Sequence, residues 1–188
     1  MTRNLSNIAK QFRLEGAYLE AHPYGYGHIN DTYAVYVQNG AGVKRYVLQR
    51  INDYVFKDPV ALMENIVRVT QHLRKKIAVS GGDVQRETLN LIPTTRGETF
   101  YVDPRGNYWR GYIFVEGAQT YQNVEKVEHI YNAAKAFGRF QEQLSDFPAE
   151  QLHEVIPDFH HTRKRFETFV RAVEADAENR AAEVQEEI

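Results

Sequence analysis

The sequence predicts an α+β fold, with an antiparallel sheet packed on one long helix over residues 1–115 and a mainly helical segment over 116–188. Three observations carry it. Apolar and polar residues alternate in several short runs before Phe114, which is the period of half-buried strands. A single amphipathic run, Asp58 to Lys76, interrupts them at helical spacing. Past Gly117 the alternation stops and apolar residues recur every three or four positions.

Taken in order, Leu5 to Phe12 suits a short helix, and "AYLEAHPYG" and "TYAVYVQNG" read as two strands. Between them, "YGYGHINDTYAV" places Gly25 and Gly27 in a connection that is either a plain turn or a loop able to lie over phosphates. Asn39-Gly40 is a tight-turn signal leading into "KRYVLQRIN", a third strand. Asp58 then caps a helix with Pro59 in its first turn and Val60, Met63 and Val67 on its apolar stripe. "ETLNLIPT", "ETFYVD" and "YWRGYIFV" read as further strands, with Trp109 and Tyr112 in the core. "VEKVEHIYNAAKAFGRFQEQLSDF" is helical through Val127, Ile130, Tyr131, Ala134, Phe137 and Leu144. "HHTRKRFETFVRAVEADAENRAAEVQEEI" continues as a helical run to the last residue, through Phe166, Phe169, Val170 and Val173.

The composition narrows the function. In 188 residues, 43% are hydrophobic and 26% charged, enough for a sizeable core. A net charge of -2 gives no footprint for nucleic acid. No cysteine is present, which removes disulfides, thiolate metal sites and a cysteine nucleophile, and fits a cytoplasmic location. There is no signal-peptide core and no apolar run long enough to cross a bilayer, so no membrane partner is expected. The G-x-S-x-G and H-E-x-x-H patterns of hydrolases do not occur. Adjacent histidines such as His160 and His161 diverge from each other, and no third ligand sits at a useful spacing, so no metal is expected there.

The stretches "GHINDTYAV", "RYVLQRIN", "VFKDPVALMENI" and "DFHHTRKRFETF" together resemble the aminoglycoside phosphotransferase-like kinases, and within them most the N-acetylhexosamine 1-kinase branch. The resemblance runs from about Gly16 to Val173. It implies a protein-kinase-like small lobe followed by the start of a helical lobe. It also implies ATP and Mg2+ as cofactors, and transfer of the γ-phosphate to a sugar hydroxyl, the anomeric one of an N-acetylhexosamine. Gly25, Gly27, His28, Asn30 and Thr32 match the phosphate-covering loop, and His28 is alternatively a surface turn residue or a group reaching the sugar. Where such kinases carry a phosphate-contacting lysine, this chain has "VLQR". Strand alternation sends Gln49 and Arg50 to opposite faces, and both remain candidates. Glu64 matches the helix glutamate. Ile113 and Val115 lie in the hinge "IFVEG", whose backbone would meet the adenine edge. His160 and Arg163 are candidate sugar contacts.

One element of that pattern is absent. These kinases require H-x-D-x-x-x-x-N, with the aspartate orienting the attacking hydroxyl and the asparagine holding metal, and the motif occurs nowhere in the 188 residues. No catalytic residue and no metal ligand is therefore assigned here. The expectation is the amino-terminal part of a longer kinase, inactive alone and able to self-associate through an exposed lobe face. The alternatives are a non-catalytic nucleotide-binding module, or a kinase for an aminoglycoside, choline or homoserine.

Overall fold

The alternating segments pair as a six-stranded, wholly antiparallel sheet in the computed structural model, which describes residues 4–40 and 42–187. Three consecutive strands, β1 (Ala17–Pro23), β2 (Asp31–Asn39) and β3 (Gly42–Arg50), form two hairpins. Then α2 (Pro59–Val79) crosses to β4 (Leu91–Ile92), β5 (Tyr101–Val102) and β6 (Tyr108–Ile113). The order across the sheet is β1-β2-β3-β6-β4, with β5 paired to the start of β6. A short helix, α1 (Leu5–Ala9), precedes the sheet, and α3 (Val127–Gln143) and α4 (Thr162–Ala175) follow it. The chain divides between Val155 and Ile156 into two units. All sheet strands, α1, α2 and α3 belong to the first.

Register assigns the faces. Val35 pairs with Tyr46, and Leu48 with Gly111, so Val35, Val37, Tyr46, Leu48 and Trp109 share one face and bury against Ile8, Ala9 and Phe12. The position of Gly111 is tight: a Cβ there would meet Phe12 and Leu48 at 3.2 and 3.3 Å. Before β1, Gly16 takes φ +142°, and a Cβ would run into the Gln38 carbonyl of the neighbouring strand, so only glycine enters the sheet this way. A second cluster forms where Ile51 meets Leu62 and Met63 of α2.

Several expectations shift in detail. Asp58 does cap α2, its Oδ1 accepting from the Ala61 N–H at 2.9 Å, and Pro59 opens the helix. The buried positions, however, are Pro59, Leu62, Met63, Thr70, Leu73 and Ile77, while Val60, one position round the helix from Pro59, is exposed. "ETLNLIPT" and "ETFYVD" contribute only two strand residues each. Asn90 turns inward to donate to the Val84 and Thr88 carbonyls, and Pro93 has no N–H for a longer ladder. The Asn39-Gly40 turn forms, with Gly40 at φ +52°, and Ala41 lies outside the described residues. Val127, Ile130, Tyr131 and Phe137 of α3 are exposed. In the second unit the expected helix to the last residue is interrupted: α4 stops at Ala175, and Asp176 turns left-handed. Its carboxylate accepts from the Arg180 and Ala181 N–H groups at 2.8 and 3.0 Å, which competes with helix continuation.

Asp103, in the turn after β5, ties that end of the sheet. It accepts from Trp109 Nε1 at 3.1 Å, from the Asn107 amide and from the Arg105 N–H. Burial alone would raise its pKa, but these donors outweigh burial and hold the carboxyl below its ordinary value. A depressed folded value contributes stability above the unfolded value of about 3.9, lost as pH falls through the folded one. Asp103→Asn should therefore lose about 1–3 kcal/mol near neutral pH in urea melts, with the gap to the unsubstituted protein closing below about pH 4. A gap independent of pH would contradict this role.

Candidate functional site

On the face opposite Leu48 and Trp109, the register lines up three polar side chains on adjacent strands. Thr32 of β2 pairs with Gln49 of β3, and Gln49 with Arg110 of β6. Their side chains hydrogen-bond in the same order: Gln49 Nε2 donates to Thr32 Oγ1 at 2.8 Å, and Arg110 Nε and Nη2 both donate to Gln49 Oε1, at 3.0 and 2.6 Å. The backbone pairing thus fixes the polar row. Alternation sends Arg50 to the other face, where Asp31 accepts from its Nε at 2.7 Å. Of the two β3 candidates, Gln49 is the one beside α2.

Around that row lies a pocket of about 340 Å³. Val47 and Gln49 form its floor with Arg110 and Tyr112, and Phe114, Val115 and Ala118 close the end where β6 runs out. Tyr24, the first residue of the glycine loop, covers it, its ring packed edge-on to Phe114 at 5.1 Å between centroids. One end is apolar and the other carries the guanidinium. The exit segment is clamped: Arg45 pairs with the Glu116 carboxylate and stacks on Phe114 at 4.0 Å, while Arg86 donates to the Glu116 carbonyl at 2.7 Å. The hydrogen bond from Arg45 holds the Glu116 carboxyl below its ordinary value.

Arg110 is the electrostatic exception of the sheet. Its residue is only 8% exposed, yet its neighbours are neutral: the Gln49 oxygen, Met63 Sδ at 3.9 Å, and the Tyr112 ring with its centroid 5.4 Å away. The other three cations on β3 and β6 each have a carboxylate: Lys44 has Glu15, Arg45 has Glu116 and Arg50 has Asp31. Among the described residues no carboxylate lies within ion-pair distance of Arg110. Burial lowers its pKa, with Tyr112 acting the other way, but a guanidinium stays charged in proteins. A buried cation without a counter-ion is costly, and an anion in the pocket would relieve that cost.

The structure brings Gln49, Ile113 and Val115 together at this pocket, with Thr32 one hydrogen bond away. Gly25 and Gly27 lie on the loop that starts at Tyr24, both exposed, and Gly25 takes φ +83°, a conformation that favours glycine. His28 is exposed on the same loop. The side chain of Asn30 accepts from the Asn52 N–H at 2.9 Å, which anchors the loop to the end of β3. Glu64 stands apart from Gln49. It accepts from His153 at 2.7 Å and from Arg68 at 3.0 Å, and the His153 bond holds its carboxyl below the ordinary value. One residue is 100° of helix, so with Met63 turned inward to Arg110, Glu64 faces away. In the second unit, His160 packs edge-on against Phe159 at 4.5 Å, and Arg163 pairs with Glu167 along α4.

Sequence reasoning passed over Arg110. Its signal was there: in "YWRGYIFV" it alternates with Tyr112 and Phe114, both buried, so a charge stands in line with core positions. A larger hollow of about 740 Å³ lies by α1 and the β5–β6 turn, but its buried carboxylate, Asp103, is already satisfied. Among the described residues no group of three or more His, Asp or Glu side chains could hold a metal ion, and no helix is long and apolar enough to cross a membrane. Among the described residues no carboxylate or histidine lines the pocket. No family model matches this chain. If Arg45 holds the exit segment, Glu116→Gln should speed amide exchange at 114–118 about two- to five-fold without altering exchange in β2 and β3. Unchanged exchange at 114–118 would place the restraint elsewhere.

Proposed function

We propose that the first unit is the nucleotide-binding lobe of an ATP-dependent small-molecule phosphotransferase of the aminoglycoside phosphotransferase-like kind, with a sugar hydroxyl, the anomeric one of an N-acetylhexosamine, as acceptor. The observation that carries the reading is the pocket under the glycine loop, apolar at the Phe114 end and cationic at the Arg110 end. A nucleotide has that polarity, a flat base at one end and phosphates at the other. The base would lie on Val47 and Tyr112 beside the exit segment, and the phosphates would run past Gln49 toward Gly25 and Gly27. The element order supports the same reading: a glycine loop between the first two strands, polar residues on the third, a crossing helix, and a strand that leads into an irregular segment before helices. Its volume falls within the range of small-molecule sites.

The lining fits ATP and does not fit Mg2+, since among the described residues it offers no carboxylate. The chemistry of this lobe is therefore restricted to holding and orienting the donor. One observation favours a second reading, a nucleotide-binding module without transfer: the sequence contains no H-x-D-x-x-x-x-N to position an acceptor hydroxyl. Both readings require the pocket to take ATP.

A fluorescent ATP analogue titrated into the protein should bind saturably and be displaced by ATP. Ala118→Trp, at an exposed position on the pocket rim, should weaken binding by about ten-fold or more without lowering thermal stability. Failure of ATP to displace the analogue, or equal binding by the variant, would refute the reading.

A further inference from the structure

We infer that Arg110 is the anion-binding cation of this pocket, taking the triphosphate of the nucleotide from β6, and that Gln49 positions it. The inference rests on the nucleotide reading for the ligand, but its physical basis is separate. Nothing in the resemblance assigns Arg110 a role; in that pattern the phosphate-contacting cation belongs to the third strand, where this chain has glutamine.

Gln49 Oε1 takes two of the five guanidinium N–H groups. Nη1 has only the Met63 sulfur, a weak acceptor at 3.9 Å. Donors therefore remain for a forked contact with phosphate oxygens, the geometry at which a guanidinium is strongest. Gln49 is oriented for this by its own second bond: with its Nε2 committed to Thr32, its carbonyl oxygen must face Arg110. A glutamate at position 49 would neutralise the guanidinium and leave it nothing to attract; a glutamine aims it and leaves the charge free. Met63 completes the arrangement, because α2 presents to Arg110 a side chain that packs without competing for it. A phosphate chain fits better than a single carboxylate ligand, because Tyr24 lines the same pocket and the exposed Gly25 and Gly27 follow it in the chain, where a longer anion would find further backbone donors.

The test compares ATP, adenosine and inorganic tripolyphosphate on three proteins: unsubstituted, Arg110→Met and Gln49→Glu. The unsubstituted protein should bind ATP more tightly than adenosine and should melt at higher temperature with tripolyphosphate. Arg110→Met should keep adenosine binding and lose the preference for ATP by about ten-fold or more, together with the tripolyphosphate shift. Gln49→Glu keeps Arg110 in place and remains informative if Arg110→Met does not fold. It should lose the same preference while melting higher than the unsubstituted protein without ligand. Tripolyphosphate stabilisation without ATP or adenosine binding would refute the nucleotide reading and leave the Arg110 anion site standing. No tripolyphosphate shift in the unsubstituted protein, or an undiminished ATP preference in Gln49→Glu, would overturn the assignment.

Discussion

A buried guanidinium with no carboxylate beside it has to be held by neutral dipoles, and the register of β3 against β6 supplies them. Because Gln49 stands directly opposite Arg110, one carbonyl oxygen receives two N–H groups, and because Thr32 stands opposite Gln49, that oxygen cannot turn away. A one-residue slip of β6 would send Arg110 into the face occupied by Leu48 and Phe12. Gly111 protects that register from the other face, where a side chain would press on Phe12 and Leu48. The packing of α2 follows the same constraint, with sulfur rather than a carboxylate against the charge.

The division of labour between the two sheet faces is what gives the first unit a site at all. One face is spent on a core of Val35, Val37, Tyr46, Leu48 and Trp109 under α1. The other is only partly covered by α2, and the uncovered part, roofed by Tyr24 and closed by Phe114, is the pocket. Its rim is restrained by the Arg45–Glu116 pair while the Arg110 charge on its floor has no carboxylate beside it among the described residues. Exposed pairs of this kind add little stability, so their value lies in fixing geometry, as Glu116 does for the exit segment.

Much of this was legible in the sequence because it depends on local signals. Period-two alternation gave β1, β2, β3 and β6, and the Asp58-Pro59 cap gave the start of α2. What was not legible depends on tertiary partners. Gln49 and Arg50 are equivalent until β6 and Asp31 are placed beside them. Met63 was legible as a stripe residue, but the partners of Glu64 beside it, His153 and Arg68 rather than a cation of β3, were not. Asn90 shortens β4 through carbonyls that no propensity reports. Arg110 was passed over because a lone arginine between Trp109 and Gly111 is usually a solvated strand residue, and only the burial of its face makes it a site.

The proposal that the pocket beneath Tyr24 takes a nucleotide is tested most directly by amide hydrogen exchange with and without ATP. The account predicts slowed exchange at 24–32, 45–50 and 110–118, with α4 unchanged. Slowing confined to other segments, or no slowing at saturating ATP, would contradict it.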